Sequence, residues 1–265
     1  MKRRSFVKTS ILASAASTVI TSVASAKNSK EKKVERQYYE LRTYSLKDTV
    51  QQQLVEDYYE KAAIPSLNRM GSNTVGVFTE MKPEGQTKLY IIIPYSSLED
   101  FANSNEKLMK DEAYVKAADA YIKAPATSPA YERIESSLLH SFRLFPQMKT
   151  DISKQRILEL RRYESSGEAA GKKKIEMFNE GGEIDVFLQT GFHPVFFSES
   201  IVGDYRPNLT YMLQFADMNE HDNSWKTFGS SPQWTRLKAI PEYADAKIVS
   251  KIVSQFLLPT AYSQI

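Results

Sequence analysis

One short segment of this chain recurs about 120 residues further on, and that repetition constrains the fold more than any other feature. Residues 39–44 (YELRTY) return as residues 158–163 (LELRRY), at an offset of 119. Later aromatic positions stay in step at an offset of 120, namely Tyr95 with Phe215 and Tyr114 with Trp234. Matches that keep their register over so long a stretch indicate a duplicated unit.

The duplication predicts two domains of one architecture. We place the first over residues 38–145 and the second over residues 156–265, with the polar stretch 146–155 as a linker between them. In each half, alternating β-rich segments are separated by segments with helical periodicity. The expected strands are 38–44, 73–80, 87–95 and 137–142, and in the second half 156–163, 195–200, 209–215 and 253–258.

Helix signals fill the gaps between these strands. Asp48 is a suitable N-cap, apolar residues repeat every four positions after it, and Gly71 ends the pattern. In the second half Gly181 and Gly182 interrupt the first helix. The resulting order, β-α-β-β-α-β twice, predicts an α+β protein with two tandem ferredoxin-like domains.

The repeated strand has two chemically different faces. Glu40, Arg42 and Tyr44 alternate with Tyr39, Leu41 and Thr43, and the second copy places Glu159, Arg161 and Tyr163 opposite Leu158 and Leu160. The leucine face is the better match for covering helices. Residues 89–93 (LYIII) are apolar on both faces, so both faces should be buried. We therefore expect the sheets to pack face to face as an intramolecular α+β barrel, with Glu, Arg and Tyr between them.

An isolated buried ion is costly, so charges between the sheets must be either paired or hydrated. Two interpretations follow. The repeated residues form a hydrogen-bond network that fixes the packing of the halves, or they line a hydrated cavity in which Arg42 or Arg161 holds an anionic or carbonyl group. The candidate ligand-binding residues are Glu40, Arg42, Tyr44, Glu159, Arg161 and Tyr163.

The amino terminus has the features of an export signal. Lys2, Arg3 and Arg4 precede a weakly apolar run of residues 9–23 and the small-residue site Ala24-Ser25-Ala26. This pattern is typical of a cleavable signal peptide over residues 1–26, and the paired arginines resemble a twin-arginine signal, with a general secretory signal as the alternative. We expect an exported bacterial protein, periplasmic or extracellular, with a charged, mobile leader over residues 27–37.

Composition restricts the function classes. The formal net charge is +3, but without the signal peptide 31 basic residues face 32 acidic ones. Such a balance gives no reason to expect a nucleic-acid partner. The signal's apolar run is too weak for a permanent anchor, so no membrane span is expected in the mature chain. The chain has no cysteine and therefore no thiolate nucleophile or cysteine metal site.

Three histidines complete the candidate chemistry. His140 lies in a predicted strand and is either a core or barrel-lining residue or a catalytic or haem-binding one. His193 precedes a proline and is expected in a turn, and His221 is expected to be solvated at a helix start. Their spacing fits no metal site, and no cofactor is predicted. The catalytic candidates are His140, Arg42 and Arg161.

The chain resembles the NIPSNAP family in motifs spread over both halves. They are residues 39–44 (YELRTY), 75–78 (VGVF), 191–197 (GFHPVFF), 207–213 (PNLTYML), 225–228 (WKTF) and 259–265 (PTAYSQI). The resemblance implies tandem domains that form an internal version of a dimeric α+β barrel. It implies no catalytic residues. Family members are discussed as protein-interaction or vesicle-linked proteins, and more distant barrel relatives include haem enzymes and cofactorless oxygenases.

The expected function is binding of a small ligand or a protein partner by an exported NIPSNAP-like protein. The alternative is a cofactorless oxygenase or isomerase, or a haem-binding enzyme, that acts on an apolar substrate in the barrel cavity. A protein partner would associate through the sheet edges or the helices. The tandem fusion leaves both a monomer and a homo-oligomer open, since it makes an obligate dimer less necessary.

Overall fold

The computed structural model of the chain describes residues 35–150 and 156–265. The predicted signal peptide, the leader up to residue 34 and residues 151–155 of the predicted linker lie outside the described residues. The strands are β1 (Tyr38–Leu46), β2 (Gly76–Glu80), β3 (Thr87–Tyr95), β4 (Arg133–Ser141), β5 (Ile157–Glu164), β6 (His193–Val202), β7 (Asn208–Phe215) and β8 (Lys251–Pro259). Each overlaps a predicted strand, although β4 begins four residues before the predicted start at 137 and β2 begins three residues after the predicted start at 73.

Helices connect the strands in the predicted order. They are α1 (Thr49–Tyr58), α2 (Ile64–Arg69), α3 (Leu98–Lys110), α4 (Glu112–Ala117), α5 (Asp119–Ile122), α6 (Glu168–Asn179), α7 (Glu183–Gln189), α8 (Met218–Ser230), α9 (Pro232–Lys238) and α10 (Asp245–Ile248). A π-helical turn, Tyr59–Ala63, joins α1 to α2, and a 3-10 turn, Pro241–Tyr243, follows α9. None of the described helices has the length and apolar character needed to cross a membrane.

Local sequence signals explain where these helices begin and break. The Asp48 side chain accepts hydrogen bonds from the backbone N–H groups of Val50 and Gln51, which confirms the predicted N-cap of α1. The π-helical turn lies directly before Pro65, whose missing N–H and bulky ring disturb regular helical bonding. Gly182 adopts φ +89° between α6 and α7, so the predicted interruption of the helix is confirmed.

Antiparallel pairing closes the eight strands into one barrel, in the order β1-β3-β2-β8-β5-β7-β6-β4. Within each half the outer strands are the second and the fourth. Barrel closure pairs these outer strands across the halves, β2 with β8 and β4 with β6. The pairing of β2 with β8 continues into the residues that follow β8. There the N–H groups of Thr260 and Gln264 donate to the carbonyl groups of Val77 and Val75.

The strands have a narrow apolar interior and a wide outer surface covered by helices. The interior cluster includes Tyr39, Phe78, Ile92, Leu139, Leu158, Leu160, Phe196, Met212 and Leu257. Ile265 and Met148 also contact this cluster, so residues near the chain end and in the predicted linker close one end of the lumen. Helices α1 to α5 cover the outer surface of the first half, and α6 to α9 cover much of the second.

Two parts of the predicted architecture need correction. The sheets do not lie on each other as separate layers, because their edges join into one continuous barrel. The leucine face surrounds the lumen, and the Glu-Arg-Tyr face lies outside, under the helices.

The end of the predicted leader is bound to the barrel. Arg36 Nε donates to the Ser141 carbonyl at 2.5 Å, and the Gln37 N–H donates to the Pro146 carbonyl at 2.9 Å.

Candidate functional site

The Glu-Arg-Tyr face of the first half is filled by its own side chains. Tyr44 is fully buried beneath the helices, where its hydroxyl lies 3.1 Å from the Tyr59 hydroxyl and 2.9 Å from that of Tyr121. Arg42 Nη1 donates to the Tyr59 hydroxyl at 3.3 Å. The phenols supplied by the π-helical turn and by α5 thus satisfy polar groups that would otherwise be buried without partners.

Glu40 is the acceptor at the centre of this first network. Its carboxylate accepts from Arg42 Nε at 2.7 Å and Nη2 at 2.8 Å, from the Ser136 hydroxyl at 2.9 Å and from the Tyr95 hydroxyl at 3.2 Å. Burial by itself would raise the pKa of Glu40, but the Arg42 guanidinium and the two hydroxyls lower it below the ordinary value of a carboxyl group. Glu40 is therefore ionised and fully engaged.

The second half repeats the network with different partners. Glu159, which is 1% exposed, accepts from Arg161 Nη1 at 2.5 Å, from the Ser254 hydroxyl at 2.6 Å and from Trp225 Nε1 at 3.2 Å. His221 Nε2 lies 3.4 Å from the same carboxylate. His221 is largely buried between aromatic rings, so the prediction that it is solvated is wrong.

Arg161 is held on three sides in this second network. Its Nη2 donates to the Tyr163 hydroxyl at 3.1 Å, and its guanidinium carbon lies 4.5 Å from the centre of the Trp225 ring. The structure therefore brings all six predicted ligand-binding residues together in two groups of three, one in each half. Each group is bonded internally and to the covering helices, and neither lines the lumen.

The predicted catalytic residue His140 lies apart from both groups. It is on the outer face of β4, where its ring stacks on Tyr38 with 4.4 Å between ring centres. Its Nδ1 is 3.8 Å from the Glu199 carboxylate. Burial lowers the pKa of His140 and the Arg36 charge lowers it further, while Glu199 opposes both. His193, the third histidine, begins β6 and is exposed.

An open cavity lies elsewhere, in the barrel lumen. Its volume is about 260 Å³, and it extends from the mouth of the barrel towards the closed end. Because lumen-facing residues alternate along each strand, the lining forms layers. The floor is apolar, with Leu41, Leu139 and Leu160. Above it lies a polar belt of Thr43, Tyr90, Ser137, Arg162, Ser200, Thr210 and Gln255, and the rim carries Lys88, Glu135, Asp204 and Tyr205.

Arg162 is the cation of the polar belt. Its Nε and Nη2 both donate to one oxygen of Glu164, at 3.0 and 2.8 Å. Its guanidinium carbon lies 4.2 Å from the centre of the Tyr205 ring, in the loop between β6 and β7. The lumen thus has a planar cation stacked on an exposed aromatic ring at its mouth.

That loop is shaped by unusual backbone geometry. Tyr205 has φ +61°, a left-handed conformation that residues other than glycine seldom adopt. Gly203 has φ +130°, and a Cβ atom there would lie 2.3 Å from the Ser137 hydroxyl. Glycine is therefore required where the loop crosses β4. Asn208 Nδ2 donates to the Asp204 and Tyr205 carbonyl groups at 3.3 and 3.0 Å, which holds the loop over the rim.

Tyr90 faces Arg162 in the polar belt. Its hydroxyl donates to Glu80 Oε1 at 3.1 Å. Burial raises the pKa of Tyr90, the Glu80 and Glu135 carboxylates raise it further, and the Arg162 charge opposes the shift. Tyr90 is therefore a neutral phenol whose single proton is donated to Glu80.

Sequence reasoning missed the lumen residues because it assigned the wrong face of β5 to the interior. Arg162 lies beside Arg161 but points the opposite way, on the face that carries Leu158 and Leu160. One signal was present: Arg162 occupies the position of Thr43 in the first copy, so the repeat places a cation there in one half only.

Neither a metal ion nor haem is supported by the groups present. Among residues 35–150 and 156–265, no group of three or more His, Asp or Glu side chains is arranged to hold a metal ion. Haem needs an axial ligand such as His, Cys, Met or Tyr. The lumen lining contains no histidine or methionine, Tyr90 is engaged by Glu80, and the Tyr205 ring is covered by the Arg162 guanidinium. A cavity of about 260 Å³ is also smaller than typical pockets for drug-sized ligands, so the lumen does not fit haem.

The fold and cavity define an α+β protein with an eight-stranded antiparallel barrel whose lumen is open at one end. Comparison with known families matches two stretches of the chain, residues 39–140 and 158–264, to the family described as NIPSNAP. These matches cover most of the chain, so the protein belongs to the NIPSNAP family and contains its domain twice. No curated protein is significantly similar to it.

Solved structures share the barrel architecture at low sequence identity. A protein from Fusobacterium nucleatum, described as a candidate monooxygenase, is 12% identical with a TM-score of 0.56, over 85% of this chain and 93% of that one. A protein from Lactobacillus acidophilus with the same description is 10% identical with a TM-score of 0.55, over 85% and 94% of the two chains. At these identities the similarity establishes the fold alone. A NIPSNAP-like domain protein from Burkholderia xenovorans is 15% identical with a TM-score of 0.36, over 41% of this chain and 88% of its own.

The adjacent arginines of β5 give a matched test of the two environments. We expect Arg161→Met to lower the free energy of unfolding by about 3 kcal/mol, because the buried Glu159 loses its cation. Arg162→Met should cost about 1 kcal/mol or less, because its pair with Glu164 is partly exposed. Urea unfolding of both variants measures the difference. Equal losses, or a larger loss for Arg162→Met, would contradict this assignment of the two faces.

Proposed function

We propose that this protein binds a small molecule in the lumen of its barrel. The observation that carries the proposal is the cavity of about 260 Å³ with an apolar floor and a polar belt. Ligand sites combine apolar walls with a few converging polar groups in this way. Leu41, Leu139 and Leu160 would contact the apolar part of the ligand, and the belt around Tyr90 and Arg162 would contact its polar group.

The construction of the mouth supports this proposal. Tyr205 is 60% exposed and has a strained backbone, while its ring stacks on Arg162 at the lumen opening. Strained residues often occur at ligand-binding loops, where surrounding contacts maintain them. The Asn208 side chain supplies such contacts here. In this proposal the tyrosine covers a bound ligand and rotates to admit it.

We further propose that each half is a ferredoxin-like domain, over residues 38–145 and 156–265, and that the barrel is the intramolecular equivalent of a dimer. The strand order supports this, because each half contributes four neighbouring strands with the first and third at its centre. Closure pairs every edge among the described strands, so a partner protein has no free sheet edge to join. The lumen is complete within one chain, which makes a monomer sufficient for ligand binding.

Oxidation of the bound ligand is a second candidate function. It is favoured by the shared fold of the two proteins described as candidate monooxygenases. Of this chain's groups, the protonated Tyr90 and the Arg162 guanidinium lie where a ligand's polar atom would be held. Oxygen uptake by the purified protein, measured with each compound that binds in the lumen, distinguishes turnover from binding alone.

We propose that the protein is exported and processed after Ala26, because its first residues combine paired arginines, a weakly apolar run and a small-residue cleavage site. Expression in a bacterial host followed by intact-mass measurement should recover a chain that begins at Lys27 in the periplasm or medium. Replacement of Arg3 and Arg4 by lysine should retain the precursor in the cytoplasm if the twin-arginine route is used. A full-length, cytoplasmic product of the unaltered gene would contradict export.

A cavity-filling variant tests the lumen site directly. We expect Leu160→Trp to abolish binding, because the indole occupies the floor of the cavity. Ile252→Trp is the matched control, since Ile252 is 45% exposed and does not line the lumen. Saturation-transfer NMR with single-ring aromatic compounds should give signals with the unaltered protein and the control but not with Leu160→Trp. Retained signals in a folded Leu160→Trp protein would refute the site.

A further inference from the structure

Three hydroxyl groups of the lumen already donate their protons to neighbouring groups of the barrel. Tyr90 donates to Glu80 at 3.1 Å, Thr210 donates to Asn208 Oδ1 at 3.2 Å, and Ser200 points to the Val202 carbonyl at 3.4 Å. A hydroxyl has one proton to donate, so each of these oxygens offers only lone pairs to the cavity. The belt therefore has more acceptors than its side-chain types suggest.

Arg162 is the cationic donor of the belt and shares the lumen lining with these acceptors. Glu164 already accepts from two of its nitrogens, Nε and Nη2. Within the described residues, no hydrogen-bond partner of its Nη1 is found, and its charge is close enough to Tyr90 to oppose the rise in the pKa of that phenol. One donor group is thus left for a ligand atom that also meets the Tyr90 oxygen.

The Glu80 carboxylate strengthens the acceptor. It lies on the same face of β2 as Phe78, beside the Tyr90 hydroxyl, and its Oε2 is fully buried with no hydrogen-bond partner among the described residues. A carboxylate that accepts a phenolic proton polarises the phenol, so its oxygen becomes a better acceptor for a second donor. A chain of two hydrogen bonds, from ligand to Tyr90 and from Tyr90 to Glu80, fits this arrangement.

The charge of the ligand follows from the same contacts. An ammonium group beside Tyr90 would be repelled by the fixed Arg162 guanidinium. The carboxylate whose charge reaches Tyr90 from the lining, Glu135, is exposed and screened by water, so an ion pair with it would offset only part of the lost hydration. A carboxylate could accept from Arg162 Nη1, but Glu164 already balances the charge of that guanidinium, and the acceptor oxygens of Tyr90, Thr210 and Ser200 would repel it. A neutral hydroxyl meets neither penalty, because it both donates and accepts.

We propose that the lumen ligand is a neutral alcohol or phenol with an apolar body, whose hydroxyl donates to Tyr90 Oη and accepts from Arg162 Nη1. This inference rests on the lumen being the binding site, as proposed above. The apolar body lies against Leu41, Leu139 and Leu160. Tyr90 is then the residue that determines specificity, and Glu80 is a positioning residue that acts through it.

The test compares an alcohol with its own methyl ether, because the ether keeps the apolar body and the acceptor oxygen but replaces the donor proton by a methyl group. Isothermal titration of the full mature chain with 2-phenylethanol and with 2-phenylethyl methyl ether should show about tenfold tighter binding of the alcohol. The 2-phenylethylammonium ion and phenylacetate, probes of similar size, should bind more weakly than the alcohol.

Two variants assign the preference to the proposed residues. Tyr90→Phe should remove the difference between alcohol and ether, and Glu80→Gln should weaken the alcohol about threefold while leaving the ether unchanged. The amide oxygen of Glu80→Gln still accepts from Tyr90, so this variant tests the inference even if Tyr90→Phe fails to fold. Glu99→Gln, an exposed change on α3, is the control and should alter neither affinity.

The outcomes separate this inference from the binding site itself. If the ether, the ammonium or the carboxylate binds as tightly as the alcohol, and Leu160→Trp abolishes that binding, the lumen site stands and the hydroxyl assignment is overturned. If none of the four probes binds, or if Leu160→Trp leaves their binding intact, both the lumen site and the inference are overturned.

Discussion

The pairing of β2 with β8 and of β4 with β6 is the interaction on which the rest of the structure depends. Two separate four-stranded sheets would each leave two edges with unpaired backbone donors and acceptors. Joining them satisfies those groups and creates an interior that neither half has alone. The contact between β2 and β8 is short, with three residue pairs, and side-chain bonds such as Ser263 to the Val77 N–H extend it. Closure therefore determines that a lumen exists and that one chain is enough to form it.

Closure also decides where charge can be placed. The helical segments on the wide outer surface bring the Tyr59 hydroxyl to Arg42 and the Trp225 indole to Glu159, while neighbouring strands supply the hydroxyl donors of Glu40. Deep in the narrow interior, the strands themselves are the source of side chains, and no helix brings hydrogen-bond donors there among the described residues. The deep layer is accordingly apolar. Polar groups return only near the mouth, where water reaches them. The separation of a structural ionic network outside from a mixed polar and apolar cavity inside follows from this geometry.

Much of the fold could be predicted from sequence because the relevant signals are local or repeated. The duplication, the strand positions, the Asp48 cap and the break at Gly182 all follow from spacing and backbone preference. The pairing of outer strands across the halves is a long-range interaction that local patterns do not specify.

The face assignment failed for a different physical reason. Both faces of each central strand are buried, so the alternation that normally distinguishes core from solvent identifies two faces without saying which is inside. Hydrophobicity predicted that the leucine face would lie beneath the helices. The structure instead has the charged face beneath the helices, where tyrosines and a tryptophan bond to the charged groups. Arg162 and Tyr90 could be recognised only after this choice was known, because their neighbours in sequence point away from the lumen.

Alternate residues of the barrel strands line an open lumen, and on this lumen the proposed function depends. Since the chain has no cysteine, a single one introduced at Thr43→Cys reports on that space, with Ala63→Cys beneath the helices and Val50→Cys on the surface as references. The rate of reaction with methyl methanethiosulfonate in the folded protein is the decisive measurement. We expect modification at positions 43 and 50 under native conditions and protection at position 63. Protection of position 43 until the protein unfolds would contradict an accessible lumen.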